Sequence, residues 1–217
     1  MAPGPADDLT VVVKPNRDRR SERHEAIRQE ILAAAWDAAH ETSIAALTLR
    51  DIATRVGMRQ PSLYSHFPSK QAIYDAMFEQ AWQAFLGYVR ITLDDLPAEP
   101  RARLVAIAQH YFDFSVADLA RHQLMDVNVI PNFQPSPQAY TPAMEAYGLM
   151  QAELCGIGIT ADQDADIFTA ITGGLVSQQL ANDPGGQRWR RLIPRVINMF
   201  ADDLGLPRPE PGRAPPT

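Results

Sequence analysis

Residues 60–66 bring together the kinds of side chain that contact double-stranded DNA. Gln60 can form two hydrogen bonds with the edge of an adenine, and Pro61 can touch the methyl group of a thymine. Hydroxyl and imidazole groups that suit phosphate oxygens follow at Ser62, Tyr64 and His66. Two of these residues have a second interpretation, Tyr64 as a partly buried core ring and His66 as a capping or surface histidine.

Two short helices must position this run. The first is predicted at about 49–56, with Thr48 at its cap and Asp51 three residues on in a weak form of the capping box. Gly57 follows it, where a left-handed conformation lets the chain turn sharply. The second is predicted at about 60–66, because Pro61 suits a first helical turn and Pro68 ends the helix. The apolar positions expected to join the two helices are Ile52, Ala53, Val56, Leu63 and Phe67. Such a pair is typical of a helix-turn-helix, whose second helix enters the major groove.

The rest of the chain is predicted to be helical, because apolar residues recur at intervals of three and four. The expected fold is therefore all-α. One long helix precedes the short pair at about 22–40, and another follows it from a Ser69 cap to about 91. Five further helices are predicted at about 101–117, 119–127, 141–155, 160–182 and 186–204.

Polar residues and prolines mark the ends of these later helices. Thr141 is the predicted cap of one, and Thr160 forms a capping-box pattern with Gln163 in the next. Three prolines between residues 128 and 140 indicate a loop. Pro194 should kink the final helix or remove a hydrogen bond near its start.

The charge distribution favours an anionic partner for the first third of the chain. The net charge is −6, but residues 1–70 hold ten of the 20 lysines and arginines and nine acids, so this third is +1 and the remainder −7. With 46% hydrophobic and 21% charged residues, the composition is that of an ordinary globular protein. The single cysteine, Cys155, can form no internal disulfide, and no apolar stretch is long enough to span a bilayer. We therefore expect a cytoplasmic protein with no membrane partner.

An enzyme and a helical interaction module are the alternatives to a DNA-binding protein. The sequence contains no Gly-rich phosphate loop, no nucleophile elbow and no closely spaced His-Glu-His set, so we predict no catalytic residue and no cofactor. His110 and Asp113 could bind a metal with His122 as a further donor, but a satisfied or exposed histidine is the expectation, and no metal site is predicted. DNA affinity that falls steeply with added salt would identify a regulator.

The segment from Thr48 to Lys70 resembles the DNA-binding signature of the tetracycline-repressor (TetR) family of bacterial regulators. The similarity rests on Leu-Tyr-x-His-Phe at 63–67, on the Ser-Lys pair at 69–70, and on Asp-Ile-Ala at 51–53. It covers about residues 22–91. The resemblance implies a ligand-responsive transcriptional regulator, by default a repressor, that binds a palindromic operator as a homodimer and is released by a small, largely apolar effector.

The resemblance also implies a set of DNA-facing residues and a division into domains. The DNA-facing set is Thr48, Arg50, Arg59, Gln60, Pro61, Ser62, Tyr64, Ser65, His66 and Lys70. The expected domains are a disordered basic leader at 1–20, the helix-turn-helix domain at 21–68, the effector-binding and dimerisation domain at 69–205, and a disordered Pro-rich tail at 206–217. The basic run at 14–23 is either a solvated tail or an arm that reaches the minor groove.

The remaining two thirds of the chain are expected to hold the effector and to form the dimer. The predicted pocket residues are Tyr88, Tyr111, Phe114, Met125, Phe133, Tyr140, Met144 and Tyr147, each of which could instead pack in the core. The predicted dimer residues are Phe168, Ile171, Gly174, Leu175, Ile193, Val196 and Phe200, on two helices that would form a four-helix bundle with their partner. Gly173 and Gly174 indicate either a close helix approach or a local break in their helix.

Overall fold

The computed structural model describes residues 16–127 and 129–208, with side chains from Arg19 onward. All regular structure in this part of the chain is helical, so the predicted all-α fold is confirmed. The helices are α1 (Asn16–Glu41), α2 (Leu49–Arg55), α3 (Gln60–Leu63), α4 (Lys70–Leu93), α5 (Pro100–Val116), α6 (Leu119–Met125), α7 (Thr141–Gly156), α8 (Asp162–Asn182) and α9 (Ile193–Asp203). None of the helices in these residues is long and apolar enough to cross a membrane.

Short-range hydrogen bonds fix the ends of the helices around the turn. The Thr48 hydroxyl oxygen accepts a hydrogen bond from the Asp51 amide at 3.1 Å and so caps α2. Gly57 follows with φ of +66°, in the left-handed region that favours glycine. Ser69 caps α4 by accepting from the Ala72 amide, also at 3.1 Å. The predicted caps at Thr48 and Ser69 are confirmed.

Two hydrophobic cores hold the helices together. The first contains residues of α1 to α4 together with residues of α6 and of the loop that follows it, such as Leu124 and Ile130. The second is built from α5, α7, α8 and α9, with Leu154 and Val176 among its buried members. Helix α6 and its loop therefore pack with the helix-turn-helix unit, although they follow it by some fifty residues in sequence.

The helix α3 is shorter than predicted. It ends at Leu63, and residues 64–66 continue as a turn in which each amide donates to the carbonyl three residues earlier. Pro68 prevents the helix from continuing past this turn, because Phe67, the residue before the proline, is disfavoured in the α region. The Phe67 amide still donates to the Leu63 carbonyl at 2.8 Å, which holds the turn against the helix.

Two predicted caps in the C-terminal part are wrong. Helix α8 begins one residue later than the proposed capping box requires, with Ala161 at the N-cap and no side-chain cap. Its first turn instead carries acidic residues, which the helix dipole favours. Helix α7 is preceded by Tyr140, and the Thr141 hydroxyl donates to the Pro137 carbonyl at 3.3 Å rather than capping the helix.

The final predicted helix, 186–204, is divided in two. A 3-10 turn at Arg190–Leu192 precedes α9, and Pro194 lies in the first turn of α9, where its missing amide hydrogen costs nothing. Helix α8 is continuous through Gly173 and Gly174, so the interpretation of these glycines as a local helix break is wrong.

The ends of the described chain differ from the expected leader and tail. Helix α1 begins at Asn16, inside the segment 1–20, and residues 1–15 lie outside the described part. At the other end, the Leu206 amide donates to the Ala201 carbonyl at 2.9 Å, and the Pro207 carbonyl accepts from Arg101 Nε at 2.8 Å. The first residues of the expected tail are thus bound to the second core, while 209–217 lie outside the described part.

Candidate functional site

Helix α3 and the turn after it present a polar side to solvent. Leu63 and Phe67 are buried and pack with α1, α2 and α4 in the first core. The exposed residues of the same segment are Gln60, Pro61, Ser62, Tyr64 and Ser65. Tyr64 is 49% exposed, so the interpretation of Tyr64 as a core ring is wrong. The Ser65 hydroxyl donates to the Ser62 carbonyl at 2.7 Å and keeps a lone pair for a further donor.

The other predicted DNA-facing residues lie at the helix starts around α3. Thr48, Arg50 and Arg59 are exposed. Lys70 is half-buried in the first turn of α4, with its ammonium nitrogen 5.1 Å from the centre of the Tyr74 ring. The free amides of a helix start and a neighbouring ammonium group together favour an anion such as a phosphate.

His66 has a different environment from the rest of the set. Its ring centre lies 4.6 Å from that of His24 on α1, and its carbonyl accepts a hydrogen bond from Arg28 Nη1 at 2.5 Å. Its Nδ1 is buried and has no hydrogen-bond partner in the structure. Burial lowers the pKa of His66, and the neighbouring His24 and Arg28 lower it further.

His24 and Arg28 were not among the predicted site residues. Besides the contacts with His66, His24 Nε2 lies 3.3 Å from the Ser65 carbonyl oxygen, and the Arg28 guanidinium lies 4.0 Å above the Phe67 ring. The two residues therefore hold the end of the α3 segment against α1. Their spacing of four residues places them on one helix face, which is the sequence signal that could have identified them.

The basic run at 14–23 is described only in part. Arg19, Arg20 and Arg23 are exposed on the first turns of α1. Lys14 lies outside the described residues. Whether this run reaches the minor groove stays a prediction.

A cavity of about 150 Å³ is lined by residues of α4, α5, α7 and α8 together with Asp126. Of the predicted pocket residues, Tyr111 and Tyr147 line it. The other aromatic residues on its wall are Trp82, Phe85 and Phe168, of which Phe168 was predicted for the dimer interface. Trp82 and Phe85 were missed, although their spacing of three along α4 places both on one face of that helix.

A second cavity of about 210 Å³ lies beside the loop that follows α6. Three predicted pocket residues line it, namely Met125, Phe133 and Tyr140. The remaining three line neither cavity. The Tyr88 and Phe114 rings lie 5.4 Å apart, and Met144 is 58% exposed. The predicted pocket residues are thus divided between two cavities and the surface.

Asp126, at the end of α6, lines both cavities. Its Oδ2 lies 3.0 Å from Nδ1 of the buried His122, and its carboxylate lies near enough to Tyr111 to affect the pKa of that hydroxyl. Burial and the neighbouring Asp126 charge raise the pKa of the Tyr111 hydroxyl well above its usual value. Tyr111 therefore acts as a neutral hydrogen-bonding group.

His110 and Asp113 take separate roles. His110 lines the first cavity, whereas the Asp113 carboxylate binds Arg190 through two hydrogen bonds of 2.6 and 2.7 Å. In the part of the chain that the structure describes, no group of three or more His, Cys, Asp or Glu residues could hold a metal ion.

The residues predicted for the dimer interface are only partly at the surface. Four of them are buried in the protomer's own second core, namely Phe168, Leu175, Ile193 and Phe200. Ile171 and Val196 are half-buried, and Gly174 is exposed. No atom that could obstruct an added side chain lies within 4 Å of the Cβ position of Gly173 or Gly174, so neither glycine meets another helix within the described chain. The exposed large apolar residues of α8 and α9 are Ile167 and Met199.

Comparison with known proteins agrees with this architecture. The family model for bacterial regulatory proteins of the tetR family matches residues 31–77. The chain is 25% identical over 162 residues to the class A tetracycline repressor protein from transposon 1721 of Escherichia coli, covering 73% of this chain and 69% of that protein. It is 32% identical over 113 residues to the HTH-type transcriptional activator FasR of Mycolicibacterium smegmatis, covering 52% and 49% of the two chains.

A solved structure shares the fold over most of the chain. A protein of unknown function from Rhodococcus sp. RHA1 superposes with a TM-score of 0.71 at 20% identity, covering 84% of this chain and 96% of that one. The family match coincides with the segment that builds α2, α3 and their packing against α1 and α4. Residues 31–77 therefore match the tetR family of bacterial regulatory proteins, and the chain is similar to a tetracycline repressor over most of its length.

Proposed function

We propose that this protein is a dimeric transcriptional repressor that binds a palindromic operator and is released by a small, largely apolar effector. In this proposal residues 21–68 bind DNA, and residues 69–205 bind the effector and form the dimer. The observation that carries the proposal is the α3 segment, whose apolar residues anchor it to the first core while its polar residues face solvent. A helix anchored in this way can enter the major groove without rearrangement.

The polar side of α3 suits both base and phosphate contacts. Gln60 is exposed and has the donor and acceptor that adenine requires. Tyr64 and Ser65 add hydroxyl groups, and Lys70 adds a positive charge at the start of α4. We assign the remaining members of the set, namely Thr48, Arg50, Arg59, Pro61 and Ser62, to flanking contacts with the backbone and bases. For His66 the proposal is a supporting role, because its ring packs against His24 rather than standing free.

A dimer would present α3 twice. Two copies related by a two-fold axis would place their α3 helices in successive major grooves, about 34 Å apart, which requires an inverted repeat in the operator. We propose that the exposed faces of α8 and α9 form this dimer. Ile167 and Gly174 are exposed and lie two turns apart on one face of α8.

Repression rather than activation is the proposed outcome of binding. The E. coli protein to which the chain is similar over most of its length is named as a repressor, whereas FasR is named as an activator. A reporter gene under a promoter that carries the operator distinguishes repression from activation. Repression predicts that reporter output rises when the gene is deleted, and activation predicts that it falls.

Several contacts connect the cavities to the DNA-binding unit. The Ser136 amide and hydroxyl, in the loop after α6, both donate to the Asp75 carboxylate on α4, at 2.6 and 2.7 Å. His40 on α1 lies 3.0 Å from Asp118, the cap of α6. We propose that a ligand in a cavity displaces α6 and its loop and, through these contacts, shifts the population of dimers away from the DNA-binding geometry.

A DNA titration across a series of salt concentrations tests the proposal. The DNA is a labelled fragment recovered by genomic pull-down, and the readout is fluorescence anisotropy. We expect the logarithm of the affinity to fall linearly with the logarithm of salt concentration. Tyr64→Ala and Lys70→Ala should each weaken binding about tenfold, and Lys70→Ala should also reduce the salt slope by about 1.

The matched control is Arg90→Gln, which removes an exposed positive charge on α4 far from α3. It should leave operator affinity unchanged within about twofold. If Arg90→Gln weakened binding as much as Lys70→Ala, the contact would be a general charge effect and the assignment of α3 would be withdrawn.

A further inference from the structure

We propose that the effector of the 150 Å³ cavity is a hydrophobic cation, with a body about the size of one aromatic ring and a quaternary ammonium or protonated amine that faces Asp126. This inference rests on the proposed function, because it names the chemical class of the ligand that would release the DNA. A cavity of this volume holds one benzene-sized ring without expansion, and the ammonium group would lie beside Asp126, which lines both cavities.

Within the described part of the chain, the cavity wall carries two carboxylates and, apart from the imidazole of His110, no side chain that can become positively charged. Among the described residues that line it, no lysine or arginine occurs, and the carboxylates are those of Asp126 and Glu153. Glu153 is already neutralised, because Arg103 Nε donates to its Oε2 at 2.5 Å. The site therefore repels an anionic ligand and offers one carboxylate to a cationic one.

The Asp126 carboxylate has hydrogen-bond partners but no permanent counter-charge. His122 Nδ1 lies 3.0 Å from its Oδ2, a contact for which a neutral imidazole is sufficient, and the neutral Tyr111 hydroxyl lies nearby. No lysine or arginine in the described part of the chain forms an ion pair with Asp126. A ligand ammonium group would supply the missing positive charge.

The remaining wall suits the body of such a ligand. Trp82, Phe85, Tyr147 and Phe168 present aromatic rings, whose electron-rich faces attract a cation as well as apolar groups. The Thr172 hydroxyl donates to carbonyl oxygens of its own helix, and the Thr169 hydroxyl does the same. These hydroxyl donors are therefore already used, and they do not compensate a ligand's negative charge.

Calorimetric titration of the full chain with two ligands of the same shape tests this inference. The ligands are benzyltrimethylammonium and its uncharged isostere neopentylbenzene, in which carbon replaces the ammonium nitrogen. We expect the cation to bind at least about tenfold more tightly than the isostere, since a desolvated cation near aromatic rings and a carboxylate gains about 1.4 kcal/mol or more.

The variant Asp126→Asn keeps the side-chain shape and removes the charge. It should reduce affinity for the cation about tenfold and leave affinity for neopentylbenzene unchanged. The control is Asp95→Asn, which removes an exposed carboxylate between two lining residues, Leu93 and Leu96, without touching the cavity. It should leave both affinities unchanged.

Equal binding of the two ligands by the unaltered protein, tighter binding of the uncharged one, or binding of neither would overturn the inference. The comparison of the two ligands needs no variant, so it holds even if Asp126→Asn fails to fold. Because the titration contains no DNA, its failure leaves operator binding intact. Conversely, failure of operator binding would leave the titration unchanged, so the two proposals fail separately.

Discussion

A charged side chain, Arg101, is buried beside the second core, where an apolar pattern predicts only hydrophobic residues. Arg101 is only 4% exposed, yet its guanidinium reaches the Pro207 carbonyl at 2.8 Å and the Asp202 carboxylate at 2.7 Å. Asp202 also binds the exposed Arg208 at 2.7 Å. Asp202 thus binds one buried and one exposed arginine. Substituting each arginine in turn compares the contribution of a buried guanidinium to stability with that of an exposed one.

Removal of Arg101 should be much more damaging than removal of Arg208. Arg101→Ala removes a buried guanidinium that donates to the Leu206 and Pro207 carbonyls and shares Asp202 with Arg208, so we expect the loss of these charge-assisted hydrogen bonds to lower the free energy of unfolding by about 3 kcal/mol. Arg208→Ala breaks an exposed pair and should cost less than about 1 kcal/mol. Urea denaturation followed by circular dichroism measures both. Equal losses would mean that Arg101 contributes no more than a surface ion pair.

The stability of the α3 segment should depend on pH through His66. Its pKa is lowered in the folded chain, so the unfolded chain binds a proton more readily. Stability is therefore complete above the ordinary histidine pKa of about 6.5 and is lost as the pH falls from there toward the lowered value. We expect His66→Asn to lose less stability than the unaltered protein between pH 7.5 and pH 5.5 in urea titrations. Parallel pH profiles of the two proteins would show that His66 is not the responsible group.

At the scale of elements, helix ends and hydrophobic cores determine the position of the α3 segment. Ser69 starts α4 directly after the α3 segment and Pro68, so the cap also fixes the path of the chain that leaves the candidate DNA surface. The first core then joins this unit to α6. A substitution at Ser69 should therefore affect both the α3 segment and its packing with α6.

Loss of the Ser69 cap should destabilise the protein modestly, and an alternative capping residue should restore the stability. Ser69→Ala removes the acceptor for the Ala72 amide, and we expect the free energy of unfolding to fall by about 1 kcal/mol. Ser69→Asp restores an acceptor at the same position and should recover most of this loss. If the alanine and aspartate variants were equally stable, the cap would have no energetic role.

At the scale of the whole molecule, the proposed dimer depends on a face that the single chain leaves open. Gly174 lies exposed in α8 with no atom within 4 Å of its Cβ position. Gly148 in α7 is exposed and unobstructed in the same way. The two glycines therefore form a matched pair, one on the proposed interface and one on another helix.

A large side chain should weaken the dimer at Gly174 but not at Gly148. In the single chain the Cβ position of each glycine is unobstructed and both residues are exposed, and arginine replaces a poor helix former. We expect Gly174→Arg to raise the dimer dissociation constant at least about tenfold and Gly148→Arg to leave it unchanged. Sedimentation equilibrium measures both constants. A dimer that tolerates Gly174→Arg uses another face, and the assignment to α8 and α9 would be dropped.

The sequence by itself determined the helical fold, the turn at Gly57 and the caps at Thr48 and Ser69, because each depends on residues a few positions apart. It also identified the polar run at 60–66, although it could not foresee that the helix stops at Leu63 and that His66 packs against His24.

Only the tertiary structure decided how the apolar faces of the C-terminal helices are used. Periodicity shows that Phe168 and Tyr111 lie on inner faces, but it does not say whether an inner face meets its own core, a cavity or a second chain. The structure places Phe168 in the second core and on a cavity wall, and it brings Asp126 beside Tyr111. These contacts join residues far apart in sequence, and packing of the whole chain selects them rather than any local preference.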